Sequence, residues 1–203
     1  GSEQSGHVAA VGFDLYMRML AEAVEELRQG DSQTSGIGHH ERRQLAGHTL
    51  PRPSVDLPVD AHIPTDYVED TATRLAVYEK VVETTDPNQL DDLRRELEDR
   101  FGTAPQAVDD LLFVVLLRVR GAQLMGAIRG FVGEGRDVIV RLRDVSWLDR
   151  QGLHRSMPRL DIGHLQIRLR DGDGNNDWRT DLLHLLDALQ DQIKSRAPAL
   201  VAT

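Results

Sequence analysis

Three carboxylates with helical spacing are the residues of this chain best suited to a specific interaction. On a helical wheel, Asp92, Glu96 and Asp99 fall within about a sixth of a turn of one another. Carboxylates gathered on one helix face attract lysine and arginine side chains of another surface. The rest of the wheel includes an apolar face made of Leu90, Leu93, Leu97 and Phe101. The spacing therefore predicts an amphipathic helix that exposes an acidic stripe (Asp92, Glu96 and Asp99).

The acidic stripe also fits a plain solvated helix surface. Arg95 and Arg100 stand three or four residues from neighbouring acids, a spacing that stabilises a helix by a few tenths of a kcal/mol. Carboxylates with arginines this close are poor candidates for acid–base catalysis. The sequence has no G-x-S-x-G motif and no cysteine, so it also lacks a recognisable nucleophile. We predict no catalytic residue, and an enzyme is the least favoured class.

Glycine pairs in the sequence do not make a phosphate site. Such a site needs a glycine-rich loop backed by a lysine or a helix amino terminus, and the motif G-x-x-x-x-G-K-[ST] is absent. The pairs Gly36-Ile37-Gly38 and Gly133-Glu134-Gly135 lack a third glycine and a strand-loop-helix setting. We predict that they are linker and turn, and that this chain binds no cofactor.

Potential metal ligands fail on spacing. Four histidines are candidates for a metal-binding cluster: His39, His40, His48 and His62. The first three lie in a polar stretch where nothing fixes a tetrahedral geometry. The segment DGDGNND, residues 171–177, begins like a calcium loop but has Asn176 in place of the required glycine and Leu182 in place of the bidentate glutamate. We predict no metal site here, and a turn in which Asn176 or Asp177 caps the last helix.

Arginines on a predicted sheet face offer an alternative function. Residues 138–142 predict a strand in which Val138, Val140 and Leu142 face inward and Ile139 and Arg141 face outward. Residues 165–169 alternate apolar and polar side chains, which predicts a second strand with one wet face. If these strands pair, one basic face carries Arg141, Arg143, Arg168 and Arg170. Such a face would suit an independent nucleic-acid-binding module. Few aromatic residues stand beside the arginines to stack on bases, so the default interpretation is a solvated face.

The composition favours a protein partner. The 203 residues carry a formal net charge of −9 and a pI near 5.3, whereas a sequence-independent nucleic-acid binder is normally basic. The absence of cysteine fits a reducing compartment. No apolar run approaches the ~20 residues that span a bilayer, so we expect a cytoplasmic protein without a membrane partner.

Start and stop signals define the elements that would position these residues. Asp86-Pro87 marks the start of the acidic helix and Gly102 its end, and Pro105 opens a second helix with the apolar run 111–117. Further signals predict an edge strand at 55–59, a hairpin of 128–132 and 138–142, a weak helix at 146–154, a strand at 165–169 and a final helix.

These elements predict an α+β fold, with helices packed on a small mixed or antiparallel sheet. Residues 1–29 contain an amphipathic helix, and residues 30–53 have the composition of a flexible linker. We place the α+β domain at residues 54–197 and a tail at residues 198–203.

Residues 96–105, ELEDRFGTAP, resemble the C-terminal domain of the bacterial transcription-repair coupling factor (Mfd) family. Other stretches agree in order. Residues 3–20, EQSGHVAAVGFDLYMRML, resemble the end of the family's translocation motif and the helix after it. Residues 55–81 resemble its short strand, I-P-x-x-Y turn and R-L-x-x-Y helix, and residues 107–126 resemble its apolar helix. The resemblance covers residues 3 to about 129.

This resemblance implies a non-catalytic regulatory part of an ATP-dependent double-stranded DNA translocase, one that displaces stalled RNA polymerase and recruits excision repair. The motor lobes, which bind ATP and Mg, would precede Gly1. The translocation motif couples nucleotide state to DNA movement in the family. Its tail would be present here as Glu3, Gln4, Ser5 and Gly6.

The resemblance also implies a partner for the acidic stripe. In the family, the C-terminal domain packs on an N-terminal module related to UvrB, covers the surface that binds UvrA and restrains the motor. Glu96 and Asp99, ahead of the Asp-Arg-Phe-Gly motif, resemble the acids at this inhibitory contact, and Asp92 extends the stripe. We therefore expect an intramolecular contact that holds an autoinhibited state of a parent protein whose other partners are double-stranded DNA, RNA polymerase and UvrA.

Overall fold

The computed structural model describes residues 52–170 and 177–200, with the backbone alone for residues 196–200. Two compact units make up this part of the chain: a helical unit of residues 60–115, and a sheet unit of residues 52–59 with 116 onwards. The predicted N-terminal helix, the linker up to residue 51 and the last three residues lie outside the described residues. Their predicted boundaries, 1–29 and 30–53, stay predictions.

The helical unit contains α1 (Thr71–Glu83), α2 (Pro87–Phe101) and the first part of α3 (Gln106–Gln123), which continues into the sheet unit. The predicted limits of α2 are confirmed. The Asp86 carboxylate accepts a hydrogen bond from the Asn88 N–H at 2.8 Å, and the Gln89 side chain accepts one from the Asp86 N–H at 3.2 Å. This reciprocal cap satisfies amides that have no partner within the helix. At the other end Gly102 adopts a φ of 84°, which glycine tolerates best.

Tyrosine hydroxyls fasten the loop before α1 to the helices. Tyr67 donates a hydrogen bond to the Gly102 carbonyl at 3.0 Å, and its ring meets Phe101 edge-on at 5.8 Å between centroids. The Tyr78 hydroxyl accepts a buried hydrogen bond from the Ile63 N–H at 2.8 Å. These contacts hold the carboxyl end of α2 against the segment that precedes α1, which gives the acidic helix a fixed position within its unit.

The sheet unit is built on five strands in the order β1-β2-β3-β5-β4. Their bounds are β1 Ser54–Asp56, β2 Ile128–Glu134, β3 Asp137–Leu142, β4 Leu160–Ile162 and β5 Gln166–Leu169. β1 runs parallel to β2, and the other neighbours are antiparallel, so of the predicted mixed or antiparallel arrangements the sheet has the mixed one. On the core face, Val140 stands between Phe131 and Ile167, and all three side chains are fully buried.

Several sequence-based bounds were wrong. The first strand ends at Asp56 instead of residue 59, because the Val59 N–H turns back to the Leu57 carbonyl at 2.8 Å. Strand β2 extends to Glu134, which leaves a two-residue turn with Gly135 at a φ of 62°. The short strand β4 was not predicted, and three residues give too little alternation to reveal a strand.

Two helices complete the sheet unit. The weak helix expected at residues 146–154 is α4, Arg150–Ser156, whose first turn is capped by the Asp149 carboxylate. The last helix, α5, spans Trp178–Leu200 and contacts β5. Asp177, one of the two residues predicted to cap this helix, accepts a hydrogen bond from the Arg179 N–H at 3.1 Å. Its buried residues are Leu182, Leu185, Leu186 and Leu189.

Candidate functional site

The acidic stripe lies on the side of α2 that the core does not use. Leu90, Leu93 and Leu97 are at most 5% exposed and fix the rotation of the helix, because an amphipathic helix must bury its apolar face. Asp92 and Asp99 are exposed and Glu96 is partly buried. The structure therefore brings the three predicted residues onto one outward surface.

Glu96 is held by two cations within the helical unit. Both of its carboxylate oxygens accept hydrogen bonds from Lys80 Nζ of α1 at 2.7 Å, and Oε1 also accepts one from Arg100 Nη1 at 3.2 Å. The hydrogen bond from Lys80, followed by its charge and by Arg100, lowers the pKa of Glu96 below its ordinary value. Glu96 thus ties α2 to α1 and stays ionised at neutral pH.

The other two acids of the stripe differ in how much of their charge is already satisfied. Asp92 accepts a hydrogen bond from Arg95 Nη2 at 2.7 Å, one turn along the same helix. Within residues 52–170 and 177–200, Asp99 makes neither a hydrogen bond nor an ion pair with its side chain. Asp99 is therefore the acid of the stripe whose carboxylate is available to an outside donor.

A groove between α1 and α2 runs along the stripe. It has a volume of about 280 Å³ and is lined by Lys80, Glu83, Thr84, Gln89, Asp92, Leu93 and Glu96. Apart from Leu93 the lining is polar, and it has three carboxylates against one lysine, so the groove suits a cationic side chain better than an apolar ligand. In the part of the chain that is described, no three histidines or carboxylates come together as metal ligands. His62 instead contacts Asp60, with 3.0 Å between Nδ1 and Oδ1.

The arginines of the sheet do not form one continuous basic face. Arg168 Nη1 lies 3.0 Å from Asp137 and Nη2 lies 2.9 Å from Glu134, and these hydrogen bonds raise the Arg168 pKa. Arg170 pairs with Asp161 at 3.1 Å. Arg141 and Arg143 make no side-chain hydrogen bond or ion pair with any described residue. Half of the predicted face is thus neutralised by carboxylates that come from neighbouring strands.

Sequence reasoning missed Lys80, the strongest partner of the acidic stripe. Lys80 lies 16 residues before Glu96 and on a different helix, so no helical wheel of residues 90–101 could show the pairing. Its position one turn before the end of α1 was the available signal, provided that α1 and α2 were assumed to pack side by side. The translocation-motif residues Glu3, Gln4, Ser5 and Gly6 lie outside the described residues.

Proteins of one family are similar in sequence to most of this chain. The TRCF domain family matches residues 57–135. Transcription-repair-coupling factor of Myxococcus xanthus is 35% identical over 167 residues, which cover 78% of this chain and 13% of that protein. Transcription-repair-coupling factor of Haemophilus influenzae is 35% identical over 119 residues, which cover 59% of this chain and 10% of that protein. The chain thus spans only a small part of these relatives.

A solved structure has the same fold. The crystal structure of the C-terminal domain of transcription-repair coupling factor superposes with a TM-score of 0.58 and 19% identity, covering 75% of this chain and 98% of that chain. At this identity the likeness supports the α+β fold alone. Among the described residues, no helix is long and apolar enough to cross a membrane.

Proposed function

Because this chain carries the TRCF domain of the transcription-repair coupling factor family, we propose that it is a regulatory, autoinhibitory domain of an ATP-dependent DNA translocase that couples transcription to nucleotide excision repair. The domain itself performs no chemistry; ATP and Mg bind to motor lobes elsewhere in the parent protein. Its task is to cover the surface that receives UvrA by contacting a UvrB-like module of the same protein.

The observation that carries this proposal is the exposed carboxylate of Asp99 beside Asp92 and Glu96 on one rigid helix face. A fixed row of carboxylates complements a basic surface and gives the contact its register. Exposed charge pairs are individually weak and screened by salt, so a contact of this kind can be released without unfolding either partner. A reversible latch needs this property.

The sharpest test reverses the charge of Asp99 in the full-length parent protein. Asp99→Lys removes one attraction and adds a repulsion, yet it breaks no contact within the described residues. We expect UvrA binding or ATPase activity to rise about fivefold or more, at the low end of typical coupling energies. The double variant Glu96→Lys with Asp99→Lys should rise further, although it also disrupts the pair with Lys80.

Asp91→Lys is the matched control. Asp91 is exposed on the same helix and stands about 80° from Asp99 around the helix axis. The Asp91→Lys substitution changes the net charge by the same amount without altering the acidic stripe. The UvrA binding and ATPase activity of this variant should therefore stay near those of the unmodified parent protein. If folded Asp99→Lys and the double variant leave both activities unchanged, or if Asp91→Lys has an equal effect, the latch assignment is wrong.

A further inference from the structure

Three chain segments meet at one end of the sheet. Strand β2 begins there, β3 ends there and β5 begins there. The Arg143 N–H donates to the Ala127 carbonyl at 2.8 Å, and the Leu142 N–H donates to the Leu165 carbonyl at 2.8 Å. Residues 125–129, 141–143 and 165 therefore lie side by side on a scaffold that backbone hydrogen bonds make rigid. We call this surface the arginine end.

The arginine end exposes apolar side chains. Met125 is 68% exposed and Leu165 is 43% exposed, which makes them two of the three large exposed hydrophobic residues among those described. Met125 also adopts a φ of 53°, a conformation in which glycine or asparagine is favoured at the end of a helix. Met125 is thus unfavourable in two respects, its exposed apolar side chain and its backbone conformation, and both features are typical of residues at binding surfaces.

Three arginines belong to the same chain segments, and Arg141 and Arg143 alternate with Leu142, so they lie on the face opposite the core. Arg129, Arg141 and Arg143 are exposed, and their side chains bind none of residues 52–170 or 177–200. The neighbouring carboxylate of Asp144 is turned towards Ser146, whose N–H donates to it at 3.0 Å. The arginine end therefore carries uncompensated positive charge close in the chain to the exposed Met125, with Leu165 at the edge of the core face, although the whole chain is acidic.

We propose that the arginine end binds an acidic peptide segment of a partner protein through its carboxylates and one or two aliphatic side chains. Guanidinium groups recognise carboxylates in a bidentate manner, and the flexible thioether of methionine adapts to varied apolar side chains. A duplex-DNA binder typically makes about six to ten phosphate contacts, and three free arginines are too few for that. The exposed apolar residues are aliphatic, whereas single-stranded nucleic acid stacks on aromatic rings.

The test is a methyl NMR titration of the full chain with a short synthetic peptide of leucine and glutamate. The sequence contains four methionines, so the Met125 methyl signal can be assigned by its loss in Met125→Ser. We expect the Met125 methyl signal to shift. The double variant Arg141→Glu with Arg143→Glu should weaken binding about tenfold or more, as the loss of central charged contacts does.

Controls separate this surface from general charge attraction. Arg155→Glu changes an exposed arginine of the same unit whose side chain, among the described residues, donates only to the Gln151 carbonyl of its own helix. This variant should alter binding less than about twofold. A peptide with glutamine in place of glutamate should bind much more weakly. The proposal is overturned if the Met125 methyl signal does not shift at about 1 mM peptide, if the glutamine peptide binds equally, or if duplex DNA binds more tightly. No residue of the acidic stripe takes part, so this inference and the proposed latch can fail separately.

Discussion

The two units of this fold carry opposite charge. Residues 60–115, the helical unit, contain fourteen acidic and five basic side chains, a formal charge of −9. Residues 52–59 and 116–203 contain twelve acidic and fifteen basic side chains, a formal charge of +3. The whole chain has the same formal charge of −9 as the helical unit, and this value conceals the net positive charge of the sheet unit.

Both units use part of their charge internally, and the remainder defines the surface that a partner would meet. In the helical unit, Lys80 holds Glu96, and Asp99 remains available. In the sheet unit, carboxylates from other strands hold Arg168 and Arg170, and the three arginines of the arginine end remain available among the described residues. A charged residue thus becomes a candidate for recognition when tertiary pairing has left it unsatisfied, and its abundance in the sequence does not show this.

The largest expected effect comes from the apolar side of the acidic helix. Leu97→Ala should destabilise the chain by about 2–5 kcal/mol, because it removes buried methyl groups and leaves a cavity. Leu97 is only 2% exposed. Urea denaturation measures the loss, and amide hydrogen exchange should locate it in α1 and α2. Asp99→Ala, on the outward face, should change stability by no more than about 0.5 kcal/mol. Equal losses for the two variants would show that the helix is oriented differently.

A close approach in the sheet unit gives the second largest effect. A methyl group at Gly121 would stand 2.7 Å from Pro53 Cγ and 3.3 Å from Phe131 Cε2. Gly121→Ala should therefore cost about 1–3 kcal/mol through overpacking, despite its better helix propensity. Urea denaturation again measures the change, with Ala122→Gly as a control that should cost no more than about 1 kcal/mol. A stabilised Gly121→Ala would mean that α3 has room to spare beside β2.

The sequence predicted those parts of the fold that depend on local signals. The cap at Asp86, the end at Gly102 and the apolar face of α2 follow from residues close together in the chain, and all three were confirmed. Strand β4 and the buried Ile139 were not foreseen. In the two-residue period Ile139 falls on the outward side with Arg141 and was expected to face solvent, yet it is 1% exposed because β3 is the central strand of five.

The candidate site was only partly predictable for the same reason. The helical period placed Asp92, Glu96 and Asp99 on one surface, which the structure reproduces. Which of them stays free depends on Lys80, a partner from another helix. The expected basic face was divided in a similar way, because strand register set acids beside Arg168. Pairing across elements has no signature in a single sequence.

Two arginines of the sheet differ in the number of carboxylates that they bind. Arg168→Met should lower the urea midpoint more than Arg170→Met, because Arg168 bridges Glu134 and Asp137, both of which would lose their partner. Arg170 forms one pair, and both of its members are more than half exposed, so its removal should be nearly neutral. Equal midpoints for the two variants would mean that the bridge of Arg168 contributes nothing, and that Arg168 belongs with the available arginines.

The smallest effect tests how firmly Glu96 is engaged, and its sign follows from the lowered pKa. A carboxyl whose pKa is lower in the folded state stabilises the fold above its ordinary value of 4.5, and this contribution is lost as the pH falls through the lowered pKa. Relative to Glu96→Gln, the chain should be more stable by about 0.5 kcal/mol at pH 7, since the pair is partly exposed and screened.

The difference between the two proteins should shrink towards zero as the solution is acidified well below pH 4.5, and urea unfolding at a series of pH values measures it. Added salt should reduce the difference at pH 7. A difference that does not change with pH would show that neither Lys80 nor Arg100 holds the Glu96 carboxylate. Glu96 would then be as available as Asp99, and the acidic stripe would offer a partner two free carboxylates, which would make the contrast with the arginine end still sharper.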